Sequence, residues 1–152
     1  METIGGGFYW QDMTVGRSFK TRGRTITETD LSGFVSLSWL NEQLFTNSEY
    51  MAAQEAYTGQ LAPGGMLYLF AEGLAAPTME GTGMAFLGME LEVKGPSYVG
   101  DTVHLEIEVI EQRAASKGNR GLVRTRNSVI NQKGETVLVY TPLRMMRGRP
   151  EE

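Results

Sequence analysis

The sequence predicts an α+β fold in which one antiparallel sheet wraps around a single apolar helix. Met66-Leu-Tyr-Leu-Phe-Ala-Glu-Gly-Leu-Ala75 is apolar on nearly every side, with Glu72 its only charge, so it requires enclosure by other structure. Past Pro77 the apolar period switches to two, and four or more one-sided strands follow. Helical patterns thus precede strand patterns, an order that belongs to α+β domains and not to alternating α/β units.

The elements follow in order. Thr25-Ile-Thr-Glu-Thr-Asp30, followed by Leu31, Phe34, Val35 and Leu37, reads as a helix start: Thr27 caps it, and Asp30 lies three positions on in its positive end. That helix is predicted to run to about Ser38. Asn47 or Ser48 caps a second helix, predicted over residues 49–56 and ending before Gly59. Ala62-Pro63-Gly64-Gly65 then opens the apolar helix, predicted over residues 65–75. Met89, Leu91 and Val93 alternate with Glu90, Glu92 and Lys94, while Val103, Leu105, Ile107 and Val109 alternate with His104, Glu106 and Glu108. Both stretches read as half-buried strands. Two further strands are expected around residues 122–131 and 136–145, with Gly118-Asn119 and Lys133-Gly134 as turns that suit antiparallel hairpins.

Composition narrows the function. A chain of 152 residues with 41% apolar and 21% charged residues is expected to form one soluble globular domain over residues 1–152. The absence of cysteine excludes disulfides, zinc-thiolate sites and a cysteine nucleophile, and a single histidine excludes a histidine-rich metal site. No metal is expected. The first residues carry no signal-peptide pattern and no stretch reaches the ~20 apolar residues of a membrane span, so no membrane partner is expected and a cytoplasmic location is. A net charge of −4 argues against nucleic acid as a partner. The charge is uneven, however: nine Lys or Arg and one acid, Glu135, lie between Arg113 and Arg149, leaving five bases and seventeen acids elsewhere. The basic stretch reads as a dock for a phosphate-bearing ligand, as a meeting place of subunits, or as solvated strand faces.

Four pieces, in order and spanning about Phe19 to Arg147, carry a family resemblance. They are Thr25 to Asp30 with Phe34; Thr46-Asn-Ser-Glu-Tyr50; Gly59-Gln-Leu-Ala-Pro-Gly64 running into Met66-Leu67 and Ala71-Glu-Gly-Leu74; and Pro96-Ser-Tyr-Val-Gly-Asp-Thr102. Together they resemble the MaoC-like acyl dehydratases, which include (R)-specific enoyl-CoA hydratases built on the hotdog fold. The resemblance implies a CoA or acyl-carrier-protein thioester as substrate or ligand, a place in fatty acid metabolism and no further cofactor. It also implies a homodimer or higher homo-oligomer, with sites formed between subunits.

The sequence departs from that family where the chemistry belongs. Hydratases of the family share Gly-Asp-x-Asn-Pro-x-His, whose Asp and His act as acid and base. A gapless match from Phe34 to Tyr50 sets Trp39 at the Gly, Leu40 at the Asp, Glu42 at the Asn, Gln43 at the Pro and Phe45 at the His. Leu and Phe transfer no protons, and each such group ordinarily contributes about 10²- to 10⁴-fold, so hydration is expected to be weak or absent. The sole His104 is expected at the surface, on the polar side of its strand.

What remains is a partial site. Backbone N–H groups at the Pro63-Gly64-Gly65 turn suit an oxyanion hole for a thioester carbonyl, a role the resemblance supports for Gly65 or Gly64; alternatively the glycines serve only a tight turn and close packing. Glu42 is the one acid of the matched segment, and partial burial would suit it to base work. Asn41 is placed to orient a water or a carbonyl, although solvated helix-end residues are the simpler account of both. Leu40, Phe45, Pro63, Gly64 and Met66 are expected to line the acyl site, and Arg124 and Arg126 to meet CoA phosphates. Glu72, among apolar neighbours, requires a partner. Three functions fit: a hydratase or dehydratase relative using Glu42 and Asn41, a non-catalytic acyl-CoA binder or partner subunit, and a hotdog thioesterase.

Overall fold

The computed structural model describes Met1 and residues 4–151. Its helices are α1 (Glu28–Ser38), α2 (Gln43–Thr46), α3 (Ser48–Ala52) and α4 (Gly64–Ala75). Its strands are β1 (Ser18–Lys20), β2 (Arg24–Thr25), β3 (Leu61–Ala62), β4 (Gly83–Gly88), β5 (Leu91–Val93), β6 (Ser97–Tyr98), β7 (Thr102–Ala114), β8 (Arg120–Ile130), β9 (Thr136–Tyr140) and β10 (Leu143–Arg147).

α4 is the helix the sequence requires to be enclosed. Met66, Leu67, Phe70, Ala71 and Ala75 are buried on it and pack with Val103, Leu105, Ile107, Val129, Val137, Leu138 and Tyr140 from the sheet. The sheet is antiparallel: β8 pairs with β7 on one side and with β9 and then β10 on the other, and β5 and β4 pair outside those two. β1 and β2 flank β7, and β3 and β6 form a separate two-stranded pair. Along β7 and β8 the buried side chains face α4 and Glu106, Glu108 and Arg126 face away, as the period of two requires.

α1 begins where its cap places it. The Thr27 hydroxyl accepts from the Asp30 N–H at 3.1 Å, and Asp30 Oδ2 accepts from the Thr27 N–H at 3.0 Å, a reciprocal capping box. Asp30 Oδ1 also holds Arg24 at 3.0 Å, and the Arg24 guanidinium lies 3.6 Å over the Phe70 ring, so the cap is tied to the central helix.

Three expectations need correction. The helix expected over residues 49–56 forms only Ser48–Ala52, capped by the Asn47 side chain on the Tyr50 N–H; of its residues only Met51 is buried, which is too little apolar contact to extend it. The strand expected over residues 136–145 is two strands, because Pro142 lacks the N–H that a continuous ladder needs. Leu91 and Val93 are not half-buried but 41% and 54% exposed in the single chain. β4, flanked by Gly83 and Gly88 and apolar without alternation, offers no strand period to read.

Two outcomes test this account. Leu67→Ala removes a side chain that is 2% exposed from the centre of the core and is expected to cost about 2–5 kcal/mol in urea unfolding. Asp30 supplies a pH dependence. Burial pushes its carboxyl up, but the Thr27 hydrogen bonds and Arg24 outweigh this and hold it below its ordinary value. A lowered folded-state value contributes stability above the unfolded value that is lost as pH falls through the folded one. Wild type is therefore expected to lose more stability than Asp30→Asn between about pH 5 and pH 2, read by denaturant unfolding at each pH.

Candidate functional site

The site is assembled at the start of α4. β3 delivers Pro63, extended at φ −61° and ψ 142°, to the N-cap position, and its carbonyl accepts from the N–H groups of Met66 and Leu67 at 3.1 and 3.4 Å. The N–H groups of Gly64 and Gly65 have no partner among the described residues. They form the positive end of a twelve-residue helix, a place that favours a carbonyl oxygen or an anion.

The two glycines differ. A Cβ on Gly64 would lie 3.1 Å from Val93 Cγ2, tighter than ordinary contact, whereas one on Gly65 would meet the Phe34 ring at an ordinary 3.7 Å. Packing with β5 therefore accounts for Gly64. It leaves the missing side chain of Gly65 unexplained.

Pro63 and Gly64 border an apolar groove of about 430 Å³, also lined by Phe45, Tyr57, Leu61, Leu67 and Val93. Of the side chains expected there, Phe45 and Pro63 are in place. Met66 is not: it packs within the core away from the groove wall, and Leu67, equally buried, is the core residue that backs the groove. Leu40 is half-buried outside this groove, its N–H 3.2 Å from the Ser38 hydroxyl. Leu61, Leu67 and Val93 were missed because they come from separate elements and carry no reactive group, and Tyr57 because no motif around it marks its hydroxyl.

The segment from Trp39 to Phe45 is a sharp turn. Trp39 ends α1 in the left-handed region, φ 60° and ψ 22°, the conformation that favours glycine and the position matched to the family's Gly. Its side chain is 83% exposed. Asn41 follows, its N–H on the Trp39 carbonyl at 2.8 Å, beside a second groove along α1. Glu42 is the N-cap residue of α2, where its carbonyl accepts from Phe45 and Thr46; the side chain is exposed and not partly buried as base work would require.

Charges expected to stand free are largely paired. Arg124 bonds Glu111 at 3.3 Å and the Thr141 carbonyl at 2.9 Å, and Arg126 lies 3.3 Å from Glu108. Both sit on the sheet face opposite α4, so the single chain does not bring them to the groove. The Arg113 and Arg124 guanidiniums hold the Glu111 carboxyl below its ordinary value. Arg144 and Arg149 pair with Glu72 and Asp12. From Thr25 through Val93 the sequence has no Lys or Arg, and no charged residue of either sign lines the groove.

Glu72 has the partners it requires: Oε1 accepts from the Tyr140 hydroxyl at 2.7 Å and from Arg144 at 2.5 Å. Burial and the Glu72 carboxylate push the Tyr140 hydroxyl well above its ordinary range, so it remains a neutral donor. His104 is half-buried and not a surface residue; its Nε2 is buried without a hydrogen bond, 3.8 Å from Glu106. No cluster of three His, Cys, Asp or Glu suited to a metal occurs among the described residues, and no helix among them is long and apolar enough to cross a membrane.

A helix wrapped by an antiparallel sheet, opening its N-terminus on an apolar groove, defines a hotdog-fold protein. Residues 13–139 match the model of the FAS1-like, dehydratase domain region, and the chain belongs to that family. A MaoC-like dehydratase from Rhodospirillum rubrum superposes with a TM-score of 0.85 at 21% identity, over 95% of this chain and 100% of that one. An R-hydratase from Pseudomonas aeruginosa gives 0.76 at 24% identity, over 95% and 88%. A Mycobacterium tuberculosis protein with a double hotdog fold gives 0.89 at 25% identity, over 99% of this chain and 47% of that one. No curated protein matches the chain by sequence.

The contrast between the glycines is testable. Gly65→Ala is expected to leave stability unchanged or to raise it by up to about 1 kcal/mol, since alanine is the better helix former. Gly64→Ala is expected to destabilise because Val93 must give way. Thermal unfolding of both variants reads the difference.

Proposed function

We propose that the groove at the α4 N-terminus takes an acyl thioester, its carbonyl oxygen on the free N–H groups of Gly64 and Gly65. One observation carries this reading: two unpartnered donors at a helix N-terminus beside a mostly apolar groove. Such donors stabilise charge developing on a carbonyl oxygen, and apolar walls strengthen them by excluding water. Membership of a dehydratase family supports the same substrate class.

The reaction is hydration and dehydration of the acyl thioester at a reduced rate. Leu40 and Phe45 stand where the family's proton-transfer groups are expected, and neither moves a proton. Glu42, the one carboxylate of that turn, would serve as a solvent-exposed base without the partial burial that efficient base work requires, which accords with the reduced rate, and Asn41 would orient the water. Leu40 and Phe45 equally favour a second reading, a subunit that binds an acyl-CoA without turning it over. A thioesterase using Glu72 has less support, because Tyr140 and Arg144 already occupy that carboxylate.

The working unit is a cytoplasmic homodimer or higher homo-oligomer. Met84, Phe86, Leu87, Met89, Leu91 and Val93 leave an apolar β4–β5 edge open to solvent, and a second copy would cover it. Since no Lys or Arg lines the groove, CoA phosphates would rely on cations of another copy, with Arg124 and Arg126 leaving their Glu111 and Glu108 partners to meet them.

Incubation with crotonyl-CoA, following hydration and free-thiol release together, tests the assignment. Weak hydration that falls in Glu42→Gln is expected, with no thiol release. Leu40→Asp combined with Phe45→His is expected to raise hydration by about 10²-fold or more. Hydration at an ordinary rate that survives Glu42→Gln would remove Glu42 from the mechanism.

A further inference from the structure

Three grooves converge on one side chain. Besides the groove of about 430 Å³ at the α4 N-terminus, one of about 850 Å³ runs along α1, and one of about 490 Å³ lies between α3 and residues 57–60. Phe45 is the one residue that lines all three, and it is the sole residue common to the first two. Its ring is anchored by a closed turn: the Phe45 N–H donates to the Glu42 carbonyl at 2.9 Å, the Thr46 hydroxyl donates to the same oxygen at 2.9 Å, and the Asn47 N–H meets the Gln43 carbonyl at 3.0 Å. The two sides of the ring differ in chemistry. The first is walled by Leu61, Leu67 and Val93, whereas on the other Leu31, Val35 and Trp39 are interspersed with Ser32, Ser36 and Asn41.

We infer that Phe45 is a specificity-determining partition that sets the length of acyl chain the apolar groove admits. The inference rests on the thioester reading above. With the carbonyl on Gly64 and Gly65, an acyl chain follows the wall of Leu61 and Leu67 and turns out to water where it meets the phenyl ring. Each methylene inside the groove strengthens binding by about 0.8 kcal/mol, roughly fourfold in Kd, whereas a methylene beyond the ring gains nothing. Affinity therefore climbs with chain length and then levels off. Without the ring, the grooves of about 430 and 850 Å³ join into one channel, whose far part offers Leu31, Val35 and Trp39 to a longer chain.

Calorimetric titration of saturated acyl-CoAs from butyryl to lauroyl tests this in wild type, Phe45→Ala and Phe45→Trp, each checked for folding by circular dichroism. Wild type is expected to reach a plateau within the series. Phe45→Ala is expected to carry the climb further, by up to about fourfold per added methylene, with no gain for the shortest chains. Phe45→Trp is expected to bring the plateau to a shorter chain, which keeps the test open if the alanine variant does not fold. Plateaus at the wild-type length in the folded variants overturn the partition while leaving the thioester reading intact. Failure of wild type to bind any acyl-CoA overturns the thioester reading itself.

Discussion

Burial of α4 is the constraint on which the rest of the molecule depends. A helix apolar on nearly every side has no solvated face to offer, so β7, β8 and β9 must curve around it and supply Val103, Leu105, Val129 and Leu138. The one charge it carries dictates local chemistry in turn. A carboxyl group inside this enclosure needs donors, and for Glu72 Tyr140 from β9 with Arg144 from β10 provide them. Removing one donor would strand a partly buried carboxylate, which costs far more than an ordinary surface pair contributes.

The same enclosure creates the site. Since the sheet covers the flanks of the helix, its N-terminus is left to emerge at one end of the wrap. There β3 brings Pro63 in as a cap with no side-chain acceptor, so the first two N–H groups stay unpaired. The turn from Trp39 to Phe45 then walls that end. Trp39 adopts a left-handed backbone that a bulky residue adopts at a cost of about 1–2 kcal/mol, the strain by which the chain turns sharply out of α1.

Local rules made part of this legible in advance. Thr27 and Asp30 announce α1 because a capping box is written in four residues, and the alternation along Val103 to Val109 announces which side of β7 is buried. Elements that owe their existence to distant contacts were not legible. β4 is a strand because β10 pairs with it, and no period within Gly83–Gly88 reports that. The groove draws on residues from Phe45 to Leu138, and proximity across such spans is a property of topology. The charge split misled for the same reason: Asp12, Glu72, Glu108 and Glu111 are remote in sequence from Arg149, Arg144, Arg126 and Arg124, yet lie against them in space.

The open β4–β5 edge makes the newly made chain its own hazard. Phe86, Leu87 and Val93 stand beside unsatisfied backbone groups, a surface that templates any strand able to align with it. A chain with this edge uncovered is open to pairing with any strand it meets, and it is exposed in this way from the moment it folds. Dilution and chaperone capture, which limit such encounters, are consequently expected to raise the yield of folded protein.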